Sequence, residues 1–207
     1  MEQADLLERC YPGRRAESKR EILRCALRLF NEHGVDATTI ETIRAESQTS
    51  VGAIYHHFGN KDGVIAALYM AALDDQAQLR DRYLSGIETT KAWVQALVHS
   101  YVDWVVSQPE WARFQYQARY AVAQGGCKDQ LNEANQARSS QLREWFSEPS
   151  RKQDLQDLPR ELIPSLIIGP AENYCRAWLS GRVKRSPEAY RQQLAEAAWL
   201  SVGARAD

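Results

Sequence analysis

Apolar residues recur three and four positions apart along most of this chain, and runs that alternate apolar with polar residues are absent. That period belongs to α-helices buried by one face, so the expected fold is all-α. Over residues 16–33 the stripe is Ile22, Leu23, Ala26, Leu27 and Phe30, and Gly34 follows as a C-terminal stop. Asp36-Ala37-Thr38-Thr39 then offers a hydroxyl cap for a short helix with Ile40 and Ile43 inward, fading into Glu46-Ser47-Gln48-Thr49. Ser50 caps a second short helix over residues 51–58. Gly59-Asn60 ends it, and a long amphipathic helix follows over residues 61–84.

The helical period continues beyond Gly86. Helices are expected over about residues 90–107, 110–123, 128–146, 160–180 and 187–202, with residues 147–159 a polar surface loop carrying two prolines. The total is about nine helices. They divide into a helix-turn-helix domain at residues 16–62 and a helical domain at residues 63–207.

Several function classes fall away early. No uncharged run reaches the ~18 residues that a membrane span requires; the longest, residues 47–60, is largely polar. Glu2, Asp5 and Glu8 give the start of the chain the wrong sign for a secretory leader. Cys10, Cys25, Cys127 and Cys175 are too sparse for a disulfide scaffold and form no metal-ligand pair, so a cytoplasmic protein without a bound metal or cofactor is expected. Catalysis would need a nucleophile–base pair or converging carboxylates. His33, His99, Cys127 and Cys175 stand isolated, and the chain is read as a non-enzyme.

Net charge is only −1, but it is unevenly placed. Arg9, Arg14, Arg15, Lys19, Arg20, Arg24 and Arg28 are opposed locally by Glu17 and Glu21 alone. Such an excess neutralises phosphates or else forms a solvated helix face. Arg14 and Arg15, preceding the first expected helix, read as either a minor-groove arm or a loose tail.

Two short helices joined by a polar turn, with longer helices before and after, are what a helix-turn-helix DNA reader requires. The second must be slim and anchored on one side only. In Val51–Phe58, Ile54 and Phe58 lie four apart and face inward, leaving Ser50, Val51, Gly52, Ala53, Tyr55, His56 and His57 for a partner. Gly52 costs ~1 kcal/mol inside a helix, which points to a steric reason for keeping it. Adjacent His56 and His57 project ~100° apart and have no evident third partner, so they do not read as a metal site.

The stretches Thr38-Thr39-Ile40-Glu41-Thr42-Ile43 and Ser50-Val51-Gly52-Ala53-Ile54-Tyr55-His56-His57-Phe58-Gly59-Asn60-Lys61-Asp62 resemble the N-terminal domain of TetR-family transcriptional regulators. The resemblance covers about residues 18–73. It implies a phosphate contact at Thr39, base or adjacent-phosphate contacts at Ser50, Val51, Ala53, Tyr55 and His56, a small residue near the groove at Gly52, and phosphate contacts at His57 and Lys61. The chain departs from the family pattern at Arg44, where alanine is usual, and at Ser47-Gln48-Thr49, where Ala-Gly-Val is usual. Gln48 in place of that glycine implies a strained turn.

The remaining two-thirds resembles the family only as a helical domain of suitable length. Trp93, Tyr101, Trp104, Trp111, Phe114, Tyr120, Trp145, Tyr174 and Trp178 are candidates for an aromatic-lined ligand pocket, with core packing the alternative for each. Leu166, Ile167, Tyr174, Tyr190, Leu194 and Ala198 give the last two helices apolar faces suited to a homodimer interface. The implied function is a ligand-responsive repressor: a dimer on an inverted-repeat operator, released by a small apolar or aromatic effector. An activator, or a helical binding protein without specific DNA recognition, are the other readings.

Overall fold

A computed structural model describes residues 5–126 and 128–204 of the 207. Twelve α-helices account for most of the described residues: α1 (Leu6–Cys10), α2 (Glu17–His33), α3 (Ile40–Ser47), α4 (Val51–Phe58), α5 (Lys61–Leu84), α6 (Thr90–Ser107), α7 (Pro109–Gln124), α8 (Lys128–Arg138), α9 (Ser140–Ser147), α10 (Pro149–Lys152), α11 (Ile163–Leu179) and α12 (Arg191–Val202). Short 3-10 turns at Arg14–Ala16 and Pro187–Tyr190 precede α2 and α12. Among the described residues there is no β-strand beyond an isolated antiparallel bridge between Leu155 and Gly203. No described helix is long and apolar enough to cross a membrane.

The chain forms two compact units. One takes the sequence up to Asp75 together with Glu110–Asn135; the other takes Gln76–Pro109 and the sequence from Gln136 onward. In the first, α2 packs on α3 and α4, and Ile22, Leu23, Ala26 and Phe30 of α2, Ile43 of α3, Ile54 of α4, and Val64 and Leu68 of α5 are all sealed from solvent. α7 completes this core. Phe114 stacks on Phe30 with ring centroids 5.6 Å apart, and the Asn31 amide donates to the Glu110 carbonyl at 3.0 Å.

The start of the chain is neither an arm nor a tail over its described part. Asp5 caps α1, whose Leu6 and Leu7 are fully buried. Arg9 holds Asp75 of α5 through Nε at 3.2 Å and Nη2 at 2.6 Å. One turn of helix is too short to show a period, which is why the sequence reading passed over it.

In the second unit α6 packs against both α11 and α12, which also pack on each other. Val94, Val98, Val102 and Trp104 fill one side of this contact, and Ile167, Cys175, Ala195 and Ala198 fill the other. The alanines leave room for the helix backbones to approach. Trp93 of α6 stacks on Trp145 of α9 at 4.0 Å, nearly parallel, with Phe146 edge-on to both rings.

Two expectations are corrected here. The helix expected over residues 128–146 is interrupted at Ser139, dividing α8 from α9. The Ser139 and Ser140 hydroxyls donate to the carbonyls three residues back, Gln136 and Ala137, competing with the helical ladder. The supposed loop over residues 147–159 contains α10, with Pro149 at its first position, where the missing N–H costs nothing. After α10 the chain is strapped to the end of α12. The Gln156 N–H donates to the Val202 carbonyl at 2.8 Å, and the Ala204 N–H donates to that of Asp154 at 2.7 Å.

Two predictions follow from local packing. A Cβ on Gly63 would lie 1.8 Å from the Phe58 carbonyl oxygen, so α4 and α5 meet at a corner with no room for a side chain. Gly63→Ala should destabilise the protein by about 2–3 kcal/mol in urea unfolding. In the second unit, burial, followed by the positive charge of Arg191, lowers the pKa of His99, against smaller opposing effects of Asp103 and Gln192. Its Nε2 is buried with no hydrogen-bond partner. The unfolded chain therefore binds the proton first, and stability is lost as pH falls below the unfolded value of about 6.5. Between pH 7.5 and 5.5, His99→Asn should lose less stability than wild type in matched unfolding curves.

Candidate nucleic-acid interface

The start of each of the two short helices is closed by side chains. The Thr39 hydroxyl accepts from the Thr42 N–H at 3.2 Å, and the Thr42 hydroxyl accepts from the Thr39 N–H at 3.0 Å, a reciprocal cap on α3. Ser50 accepts from the Ala53 N–H at 3.0 Å to start α4, and Gly59, at φ 74°, stops it. Asn60 Oδ1 accepts from the Gly63 N–H at 2.9 Å and starts α5. The sequence signals for Asn60 and Thr42 were present, a cap residue before a helix and a Thr-x-x-Thr pair. The need for Gly63 arises from proximity to Phe58 and has no local signal.

Gln48 closes α3 in the left-handed region, at φ 51° and ψ 28°. This is the conformation in which glycine is free and a side chain costs energy, as the family comparison implied. Beside it the Ser47 and Thr49 hydroxyls lie 2.8 Å apart, joined by a hydrogen bond where the family pattern has apolar residues.

α4 is held by one edge. Ile54 is fully buried and Phe58 half-buried, while Tyr55 is 51% exposed and Gly52 and His56 also face solvent. Val51, Ala53 and His57 are intermediate, and Ser50 and Thr39 are exposed. A Cβ on Gly52 would meet only the Ser50 hydroxyl, at 3.8 Å. Nothing within the chain therefore demands glycine there, in contrast to Gly63. Lys61, in the first turn of α5, donates to the Asp36 carbonyl at 3.2 Å, tying that turn to the loop before α3. His57 has a lowered pKa, chiefly through burial and then through the charges of His56 and Lys19.

The basic run from Arg9 to Arg28 is largely spent inside the unit. Arg9 pairs with Asp75, Arg24 with Asp5 and Glu21, and Arg28 with Glu32 and Glu46. Arg20 donates to the Tyr11 and Gly13 carbonyls. The local excess that the sequence offers for phosphates is thus reduced to Arg14, Arg15 and Lys19. Arg44, the other departure from the family pattern, pairs with Glu41 on its own helix.

The remaining candidates lie in different places. Trp111, Phe114 and Tyr120 are in the first unit, and Trp93, Tyr101, Trp104, Trp145, Tyr174 and Trp178 in the second. Trp104 and Phe114 are enclosed by core, whereas Tyr120 is 73% exposed. Tyr174 meets Tyr190 edge-on at 5.4 Å, linking α11 to the turn before α12. Leu166 and Leu194 are half-buried, and Ile167 and Ala198 face the core of their own unit. Among the isolated polar candidates, His33 is exposed at the end of α2, and Cys175 is buried with its thiol pushed up to about 12. Cys127 lies outside the described residues. Among the described residues no three His, Cys, Asp or Glu side chains converge as a metal site would require.

Comparison with known proteins agrees with the geometry of α2–α5. The profile described as "Bacterial regulatory proteins, tetR family" matches residues 22–68. The transcriptional repressor AcnR of Corynebacterium glutamicum is 39% identical over 64 residues, 31% of this chain and 32% of that protein. The repressor KstR2 of Rhodococcus jostii is 33% identical over 113 residues, 54% of this chain and 53% of that protein. The aligned stretches thus span about a third to a half of these relatives' own length. Among solved structures, a TetR-family regulator from Marinobacter aquaeolei superposes with TM-score 0.72 at 18% identity, covering 92% of this chain and 98% of that one. KstR2 of Mycobacterium tuberculosis gives 0.70 at 16%, covering 94% and 100%. At such identities the structures establish a shared fold, and the matched residues 22–68 include the capped helix pair α3–α4. Residues 22–68 thus match the family of bacterial regulatory proteins typified by tetR, and the fold of the described residues is the one that solved TetR-family regulators share.

Proposed function

We propose that the chain is a ligand-responsive transcriptional repressor that binds an inverted-repeat operator as a homodimer and leaves it when a small molecule binds. The observation that carries this reading is α4 itself. Its inner edge is locked by Ile54, and its outer edge presents Gly52, Tyr55 and His56 to solvent. In this reading residues 16–62 read DNA, and residues 63–207 bind the effector and pair the subunits. Ser50, Val51, Ala53, Tyr55 and His56 meet base edges, thymine methyls or neighbouring phosphates, and Thr39, His57 and Lys61 meet phosphates. Gly52 is kept because the groove, rather than the protein, occupies the space a methyl would fill.

TetR-family regulators are generally non-enzymatic proteins that bind operators and small-molecule effectors, usually as dimers. Leu162, 41% exposed, and Leu200, 70% exposed, leave apolar surface beside α11 and on α12, which supports pairing through those helices. A two-fold dimer presents its two reading helices about 34 Å, or a multiple of it, apart. An apolar or aromatic effector held among Trp93, Trp145 and their neighbours would favour a conformer with the heads wrongly spaced. A hundredfold loss of occupancy requires a preference of about 2.7 kcal/mol for that conformer.

Selection from randomised duplexes with the purified chain, alongside its mass in solution, tests the reading. An inverted repeat recovered by a dimer is expected; equal weak binding to all sequences would sink it. On the recovered duplex, Tyr55→Ala should cost about ten- to a hundredfold in affinity. Lys61→Ala should lower the salt slope by about one. Gly52→Ala separates folding from recognition: it should raise stability by roughly 0.5–1 kcal/mol while weakening operator binding. Gly52→Ala with unchanged binding would show that nothing approaches α4 closely there.

A further inference from the structure

The seven cations of the Arg9–Arg28 run differ in what holds them. Arg9, Arg24 and Arg28 meet carboxylates, and Arg20 is committed to two backbone carbonyls at 2.7 and 2.8 Å. Arg14, Arg15 and Lys19 meet no carboxylate among the described residues. Arg14 and Arg15 are exposed in the 3-10 turn that opens α2.

This turn is built into the unit. On one side, buried Leu6 and Leu7 and the Arg9–Asp75 pair fasten α1. Arg20 then clamps both ends of the short Tyr11–Gly13 link, and Gly13, at φ 86°, redirects the chain into the turn. On the other side, Lys19 stands one helical turn beyond Arg15. Its ammonium lies 4.2 Å from the Tyr11 ring centroid and 5.6 Å from that of Phe58, the last residue of α4. Lys19 therefore adjoins the C-terminal end of the helix assigned above to the groove, with Arg15 one helical turn before it.

We propose that Arg14 and Arg15 grip the phosphodiester backbone of the bound duplex outside the stretch that α4 reads, a second contact that carries no sequence information. The assignment rests on the DNA-binding reading. A duplex carries one negative charge per ≈1.7 Å of its axis, and two exposed guanidiniums on an anchored turn, one helical turn before Lys19, match that surface in sign. Internal pairing of the neighbouring arginines leaves these two to supply the attraction that the nearly neutral chain lacks overall.

The test is fluorescence anisotropy of the full chain on two duplexes of equal length, the selected inverted repeat and a random sequence, at several salt concentrations. Arg14→Ala with Arg15→Ala should lower the slope of log affinity against log salt by about 1.8 for each reading head engaged. That corresponds to roughly sixtyfold weaker binding per head at 0.1 M salt, on both duplexes alike. Arg14→Lys with Arg15→Lys should restore most of the slope, and Tyr55→Ala should weaken the selected duplex alone. Both arginines are exposed, so the alanine pair should unfold at the wild-type midpoint. An unchanged slope in the alanine pair, while wild type binds normally, overturns the proposal. So does a lysine pair that fails to restore binding. A wild-type chain that binds neither duplex overturns the DNA-binding reading and this contact with it.

Discussion

An eight-residue helix has no stability of its own in water, because nucleation costs more than two turns of hydrogen bonds return. α4 exists only because Ile54 is buried among the apolar faces of α2, α3 and α5. Full burial of a side chain of that size contributes on the order of 1.5–3 kcal/mol. A single buried anchor fixes the helix and commits little of its surface, leaving the opposite edge unoccupied. Caps at Ser50 and Gly59 then settle where the helix begins and ends, and the Gly63 corner settles how the next one leaves it. A small shift in any of these would move Tyr55 and His56 relative to the groove they are proposed to enter.

Charge in the same unit shows how little can be read from a tally along the chain. The run of cations reads either as a phosphate-binding surface or as a solvated face, yet three of its seven members are bound to Asp5, Glu21, Glu32, Glu46 and Asp75, and Arg20 is held by backbone carbonyls. Asp75 and Glu46 lie far along the sequence from their partners. Exposed pairs of this type add little stability each, but they decide which cations are left to meet a partner. Under the proposed reading, recognition depends on which charges the fold leaves unspent.

What was legible in the sequence was whatever local chemistry controls. The bounds of α4, α5 and α6 follow from hydroxyl caps, glycine stops and an apolar period, all carried by neighbouring residues. α1 was missed because one turn has no period, although Asp5 before two leucines was a cap of the ordinary kind. The interruption at Ser139 was missed because serine hydroxyls turning back on the helix ladder are indistinguishable, in one dimension, from serines facing water. In the candidate site, the residue types on α4 were readable from their pattern. The closed corner at Gly63, the left-handed Gln48 and the pairing of Arg28 depend on distances that only the folded chain sets.

The Phe30–Phe114 stack bears on the order of synthesis. The ring that seals the back of α2 is encoded more than eighty positions after the ring it covers. A ribosome that has released the whole of α2–α5 has therefore released a reading unit with an open side. That unit closes only when α7 emerges, by which time α6 is also out and seeking its own partners. A nascent chain stalled short of residue 114 would carry every residue proposed to face DNA yet lack the side chain that stacks on Phe30. Competence to bind thus comes late in translation, although the residues proposed to do the binding are made first.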